Sequence, residues 1–449
     1  MKHKQLVWAY GILFLFFLQL LSDFIESIYV FGLLSTGVTI EIISVVLLFS
    51  PVVLLVPHKG ISKTMLLILA AGGLASRLIA VTLGPGAKMV VSGLGVGCWL
   101  VAFIVLLKEL LALRPTIRQL GGSFTLTAGF MLVMILAQVF TTVYDYIPVI
   151  GPWFRDRFWF VFFLAGCGFT LPVLLLRKMD VYPDARSSQP QPDHILGVTV
   201  SVFAVISLIV VWGTVPTPNP PLAGENPKLR VLTYNIQQGY SEYGAKNFMG
   251  QLEVLQNAGA DIIGLQESDT NRVAGGNADI VGYFARELNM HAYYGPKTVP
   301  GTFGIALLSK YPIESAKTFY MVSIGEQTAA IHARIQLSGH PVNVIITHLG
   351  NGGPMEQQQA ILDYIQNLEN VILIGDFNFR PDSEQYVLTT ISLEDAWLVQ
   401  ENPAESGPEL DPSRRIDHIF VTPGTPVMQS RYIVSSQSDH PALWADLTW

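Results

Sequence analysis

Charge is scarce in this chain, and cysteine scarcer still. Only 14% of its 449 residues are Asp, Glu, Lys or Arg, against roughly 25% in an average soluble domain. Its two cysteines, Cys98 and Cys167, both lie in the first half. The second half has none, which excludes a disulfide framework or a thiolate zinc site there. Each half is also short of one sign of charge. Residues 1–220 carry 14 Lys/Arg and 9 Asp/Glu, a net +5, whereas residues 221–449 carry 13 and 25, a net −12. A surface that grips nucleic acid needs surplus Lys and Arg to neutralise phosphates. The second half lacks that surplus, so nucleic acid is a disfavoured partner.

The first half is rich in long apolar runs. A helix needs about 20 such residues to cross the hydrocarbon core of a bilayer. Seven runs qualify as candidates: Leu6–Leu21, Val38–Val56, Thr64–Leu83, Met89–Leu107, Phe124–Tyr144, Phe158–Leu176 and Ile195–Val215. Lys2 and Lys4 ahead of the first resemble a secretory leader. No small-residue cleavage site follows and six more runs do, so the first reads as a retained span. Basic residues gather at alternate ends: Lys2 and Lys4, Lys59 and Lys63, Lys108 with Arg114 and Arg118, then Arg177, Lys178 and Arg186. The positive-inside rule places the N-terminus in the cytoplasm and everything after Val215 on the extracytoplasmic or lumenal side. Glu41 and Arg77 mark either an intramembrane site or side chains that snorkel from span ends. Gly93 and Gly97 form a small-xxx-small pair suited to helix contact.

A proline-rich linker over 216–227, stiff and extended, separates an all-α transmembrane domain (1–215) from a soluble domain (228–449). Within the latter, eight runs have strand patterning: Leu229–Tyr234, Asp261–Gln266, Gly304–Ser309, Ala329–Gln336, Val342–Thr347, Val371–Gly375, Ile416–Thr422 and Ala442–Leu447. Helices are expected at Ala245–Asn257, Asp279–Leu288, Met355–Leu368 and Ser383–Thr389. Some strands follow one another through turns, as at Gly339-His340, so a two-sheet α/β core with outer helices fits better than a βαβ repeat.

Polar residues cluster where these strands end or begin. Asn235 closes the first run, Glu267 follows the second, and His348 closes a middle one. Asp376-Phe-Asn378 follows Val371–Gly375, Asp417-His418 opens Ile416–Thr422, and Ser438-Asp439-His440 precedes the last. Mg²⁺ takes oxygen ligands and uses one or two carboxylates, a set that Glu267, Asn235 and Asp439 offer, and Mn²⁺ is an alternative. His440 held by Asp417 makes a general base that titrates near working pH. Asn378 and His348 can donate to charge building on a phosphoryl oxygen.

In this order the motifs resemble those of the endonuclease/exonuclease/phosphatase superfamily, the pancreatic-DNase-like fold. They are Leu232-Thr-Tyr-Asn235, Ile263-Gly-Leu-Gln-Glu267, Gly304-Ile-Ala-Leu-Leu-Ser309, Thr347-His348, Gly375-Asp-Phe-Asn378, Arg415-Ile-Asp-His-Ile-Phe420 and Ser438-Asp-His440. The resemblance implies a four-layer α/β sandwich and Mg²⁺-dependent hydrolysis of phosphomonoesters or phosphodiesters. It makes Glu267 the principal metal ligand, with Asn235 helping and Asp439 near the metal. It makes His440 the base, oriented by Asp417, with Asp376 positioning the water or metal-bound oxygens and Asn378 and His348 stabilising the transition state. Membrane spans ahead of such a domain are similar to the family that remodels the lipid of GPI anchors (calcofluor-white hypersensitivity). Glu267-Ser-Asp-Thr-Asn-Arg272 and Thr347-His-Leu-Gly-Asn351 are similar to that subgroup, and suggest substrate contacts at Asp269, Arg272 and Asn351.

Plainer roles compete. Asp376 and Asn378 suit a helix cap or Asx turn, Asn235 a turn, and His348 a core position. A surface salt bridge accounts for Asp269 and Arg272. Asp417 and His418, adjacent in a strand, point to opposite faces, so only one reaches a shared cleft. Three functions follow: an extracytoplasmic phosphoesterase acting on a lipid-linked or membrane-proximal substrate, a surface nuclease, or a non-catalytic lipid- or partner-binding scaffold.

Overall fold

The computed structural model describes residues 228–448 except 269, 271–278, 299–300, 303, 324–327, 338 and 404–410, with two helices and scattered residues of the N-terminal half. By compactness the chain divides into two units, one drawn from the N-terminal half and one containing Val215–Trp449.

In the first unit, α1 (Lys63–Val81) and α2 (Ile117–Phe140) fall on the third and fifth apolar runs. Among the described residues, no helix is long and apolar enough to cross a membrane. The runs at 38–56 and 158–176 lie outside those residues, and the other five are described only in part. Close packing falls on different glycines from the pair singled out by spacing. A side chain on Gly73 would strike Trp99 and one on Gly95 would strike Ser76, whereas one at Gly97 would meet nothing. Gly93 lies outside the described residues.

The second unit opens with β1 (Lys228–Asn235), α3 (Phe248–Ala258), β2 (Ile262–Gln266), α4 (Ile280–Glu287) and β3 (His291–Tyr294). A short ribbon, β4 (Lys297–Thr298) and β5 (Gly301–Thr302), leads to β6 (Ile305–Ser309), β7 (Ile313–Met321), β8 (Thr328–Leu337) and β9 (His340–His348). Next come α5 (Met355–Ile365), β10 (Val371–Asp376), α6 (Glu384–Thr390), β11 (Glu394–Asp395) and α7 (Ala396–Val399). Three strands finish the unit: β12 (Asp417–Val421), β13 (Val427–Ile433) and β14 (Ala442–Thr448).

Two six-stranded sheets result, in the orders β13-β14-β1-β2-β6-β3 and β11-β12-β10-β9-β8-β7. Each has one parallel pair near its middle, β1 with β2 and β9 with β10. The inner faces meet in one core, where Val231, Ile262 and Leu307 of the first sheet join Ile331, Val344, Ile346, Ile374 and Ile419 of the second. Gly264 sits at a close crossing, since a Cβ there would lie 2.8 Å from Ile374 Cδ1. On the outer face of the second sheet, Ile361, Leu362 and Ile365 of α5 pack with Leu373, Phe377 and Phe420. Burial of Leu252 and Leu255 on α3, and of Ile280 and Phe284 on α4, supplies the fourth layer.

All eight strands and four helices expected from patterning form. The differences are informative. Helix α3 starts after Asn247, whose side-chain oxygen accepts from Gly250 N at 3.1 Å and caps it, so Ala245 and Lys246 stay outside. Patterning does not predict β3, β7 and β13, nor the two-residue strands β4, β5 and β11. β7 and β13 are edge strands with mixed burial, and an edge strand needs no alternating apolar face.

Candidate active site

Where a parallel pair of strands ends, an antiparallel neighbour begins. That topology gathers the polar residues. In the second sheet, Asp376 at the end of β10 stands opposite His348 on β9 and opposite Asp417 at the start of β12. Residues opposite one another on neighbouring strands share a face, so these three project together. His418, one residue on, turns to the other face and packs against Phe379, Phe420 and Tyr386. In the first sheet, Asn235 ends β1 opposite Gln266, and Glu267 follows directly.

Asp376 is the hub. Its Oδ2 accepts from Asn235 Nδ2 at 3.0 Å and lies 3.5 Å from His348 Nε2 and 3.7 Å from His440 Nε2. Its Oδ1 accepts from the backbone N of Asn378 at 3.0 Å, the Asx turn that its sequence setting allows. Asn235 Nδ2 also reaches Glu267 Oε1 at 3.2 Å, while Asn235 Oδ1 accepts from Gln237 N. The amide therefore shows its nitrogen to two carboxylates and ties its oxygen to backbone. Asn378 Nδ2 donates to Leu349 O at 2.9 Å, leaving one N–H of that amide for another acceptor.

The backbone here is unusual. Gln237, Gln238, Glu267 and Asn378 all have positive φ, between 46° and 54°. Asn tolerates that region and Glu does not favour it. Such conformations cost of order 1–3 kcal/mol each and concentrate at functional sites. Gln238 N donates to Glu267 O, so the two strained turns brace each other.

His440 Nδ1 meets Asp417 Oδ2 at 2.9 Å. Burial, reinforced by the charge of Asp376, pushes Asp417 up to about 6. Burial alone would pull His440 down, but Asp417, Asp376 and Asp439 outweigh it and raise the imidazole to about 10. Asp417 and His440 therefore titrate as one coupled pair. Burial, aided by Asp439, also raises Glu267 against the opposing pull of His348 and Asn235. On the far face, burial lowers His418 to about 4, so it is a neutral core residue.

The structure thus brings Asn235, Glu267, His348, Asp376, Asn378, Asp417 and His440 to one place. Asp439 is exposed at its edge, its Oδ1 3.3 Å from Ser438 Oγ. Asn351 is exposed on the turn after His348. Asp269 and Arg272 lie outside the described residues. Of the histidines outside the motifs, His340 is an exposed hairpin residue. His332 is half-buried and bridges Tyr364 and Asn343. His291 is half-buried too, its Nε2 without a partner among the described residues.

Two supporting residues escaped sequence reasoning. Ser438 Oγ donates to Asn235 O at 2.7 Å, fastening the His440 loop to the end of β1; its position inside the Ser-Asp-His motif was the available signal. Tyr432 OH donates to Asp417 O at 2.8 Å from β13. That strand carried no readable pattern.

In fold and site the C-terminal unit is similar to endonuclease/exonuclease/phosphatase domains. Residues 228–396 match the family described as "PGAP2IP, C-terminal nuclease-like domain". Over 246 residues the chain is 26% identical to Protein cwh43 of Schizosaccharomyces pombe, covering 51% of this chain. It spans a quarter of that relative's length. Among solved structures, an endonuclease/exonuclease/phosphatase from Beutenbergia cavernae aligns at 18% identity and TM-score 0.39, over 49% of this chain and 71% of its own. The human Nocturnin catalytic domain aligns at 18% identity and TM-score 0.38, over 49% and 93%.

Proposed function

We propose that this chain is a membrane-anchored phosphoesterase that depends on Mg²⁺ or Mn²⁺ and hydrolyses a lipid-linked or membrane-proximal phosphoester on the extracytoplasmic side. The observation that carries it is the meeting of the Asp417–His440 pair with the Asp376–Asn235–Glu267 chain of contacts at one sheet edge. The apolar runs of the first half support the membrane part of the reading. A tether raises the local concentration of lipid targets relative to free ones.

The residues present fit a divalent cation. Asp376, Asp417 and His440 each offer a ligand atom within 4.8 Å of the others, and Glu267 joins Asp376 through Asn235. Asp417 Oδ1 is buried without a partner, and among the described residues no Lys or Arg pairs with Glu267, Asp376 or Asp417. Carboxylates gathered with no Lys or Arg partner suit a hard ion. Glu267 and Asp376 would hold it, with Asn235 and Asp439 beside them. When bound, it supplies positive charge to a phosphoryl group and favours ionisation of a nearby water.

The chain's own residues supply the rest. His440 Nε2, on the side of the ring away from Asp417, would accept the proton of the attacking water when the imidazole is neutral and return it to the departing oxygen. Asp417 fixes the ring's tautomer and stabilises its cationic form, as a carboxylate behind a histidine base does. His348 and the spare N–H of Asn378 donate to oxygens that gain charge as the ester breaks. The test is a screen of full-length protein in nanodiscs against glycerophospholipids, sphingophospholipids, phosphoinositides and DNA, with Mg²⁺ and with EDTA. Mg²⁺-dependent release from one lipid class is expected. Turnover of DNA alone would replace this reading with that of a surface nuclease, and no turnover with intact binding would favour a scaffold.

A further inference from the structure

We infer that Gln251 of α3 is a positioning residue that locks the turn following Asn235 to the loop carrying His440. The inference rests on the phosphoesterase reading of that site. Pairing of β1 with β14 stops at Thr233 opposite Leu443. Asn235, still paired with Gln266 of β2, and His440 lie just beyond, where the β1–β14 ladder no longer ties one to the other. Something else must.

Gln251 does this from a fully buried position. Its Nε2 donates to Ile236 O at 2.8 Å, to Gln437 O at 3.0 Å and to Tyr240 O at 3.1 Å. Ile236 follows Asn235, and Gln437 precedes the Ser438-Asp439-His440 run. One amide group therefore spans both loops. Its orientation is fixed by the acceptors, because a reversed amide would set its oxygen against three carbonyls. As placed, Oε1 is buried with no partner. An apolar residue would spare the helix that penalty, so the donors are what the site uses. Ser438 Oγ, bonded to Asn235 O, closes the seam from the other side. Asn247 adds a contact to the Gln437 side chain, and Gly250 leaves room for it.

Gln251→Met keeps size and removes every donor. Leu255→Ala weakens the same helix at a buried apolar position and takes no bond from either loop. With full-length protein, Mg²⁺ and bis(p-nitrophenyl) phosphate, Gln251→Met is expected to lower kcat about 10- to 100-fold with KM within about twofold, because small misplacements act on the chemical step. Leu255→Ala should change kcat by less than about threefold at a similar loss of Tm. Hydrogen exchange should quicken in peptides covering 236–241 and 435–441 of Gln251→Met, with the sheets unchanged. Equal kcat losses in the two variants at matched Tm, or unchanged exchange in both peptides, overturn the proposal. A wild-type protein inactive on every phosphoester would defeat the phosphoesterase reading, and the exchange measurement would then decide the lock by itself.

Discussion

His440 Nδ1 and Asp417 Oδ2 stand 2.9 Å apart, yet the two residues enter different sheets. Asp417 opens β12 of the second sheet, and His440 directly precedes β14 of the first. Their bond joins the sheets at the edge where Glu267 and Asp376 also emerge. In the proposed mechanism, proton transfer and sheet packing share this one contact.

Removing either member should separate activity from stability. His440→Ala is expected to lower kcat by roughly 10²- to 10⁴-fold, the usual range for a lost general base. Asp417→Asn should lower kcat as well but leave Tm unchanged or raised, because burial already disfavours the ionised Asp417. Turnover on a chromogenic phosphodiester and a thermal melt of each variant check this. Wild-type turnover in His440→Ala would remove the base from the mechanism.

The acidic cluster should respond to metal in two ways. Mg²⁺ should raise Tm through preferential binding to the folded state, and EDTA should reverse the gain. In Glu267→Gln the metal-dependent gain should shrink, while Tm without metal rises, since burial penalises the Glu267 carboxylate. Mg²⁺ should also release a proton from His440, because neutralising the neighbouring carboxylates removes what holds its pKa up. Imidazole NMR shifts that stay constant through a metal titration would contradict this.

Without metal, stability should fall between neutral and alkaline pH. His440 is raised from 6.5 to about 10 on folding. Its contribution is fully present below pH 6.5 and is lost as pH rises through about 10. Asp417, raised from 3.8 to about 6, contributes below pH 3.8 and loses that contribution as pH rises through about 6. Melts from pH 7 to 10 in EDTA should therefore drop further for wild type than for His440→Gln. Parallel curves would refute the assignment.

A buried ion pair behind the site should matter to folding. Arg415 contacts Asp395, and Tyr386 OH donates to the same Asp395 oxygen at 2.7 Å. Arg415→Met leaves Asp395 charged and buried, at a cost of about 3–5 kcal/mol. Arg415→Met with Asp395→Leu should recover much of that loss. Chemical denaturation of the three proteins measures it, and equal midpoints in single and double variants would rule it out.

The strand-end residues were legible because chemistry sat where apolar runs stopped. Glu267 directly after Ile262-Ile-Gly-Leu-Gln is hard to explain otherwise, and the opposed faces of Asp417 and His418 follow from strand geometry alone. The lateral positions were not legible. Nothing in the sequence says that Asp376 lies between His348 and Asp417, because that depends on strand order across the sheet. Gln251 was visible as a polar residue on the apolar stripe of α3, four residues before Leu255, but stripe membership does not reveal what an amide bonds. Tyr432 sits on an edge strand whose pattern is mixed, so its bond to Asp417 had no local signature.

The pairing of Lys228 with Thr448 has a consequence in time. During synthesis, β1 leaves the ribosome long before the strand that flanks it, and one side of it waits unpaired until β14 appears. Long-range closure of this kind slows folding and leaves an apolar edge open to wrong partners while translation continues. His440 arrives with that same last strand. Under the proposed mechanism a nascent chain stays chemically silent until its central sheet is complete, and truncation before β14 should yield an aggregating fragment rather than a weak enzyme.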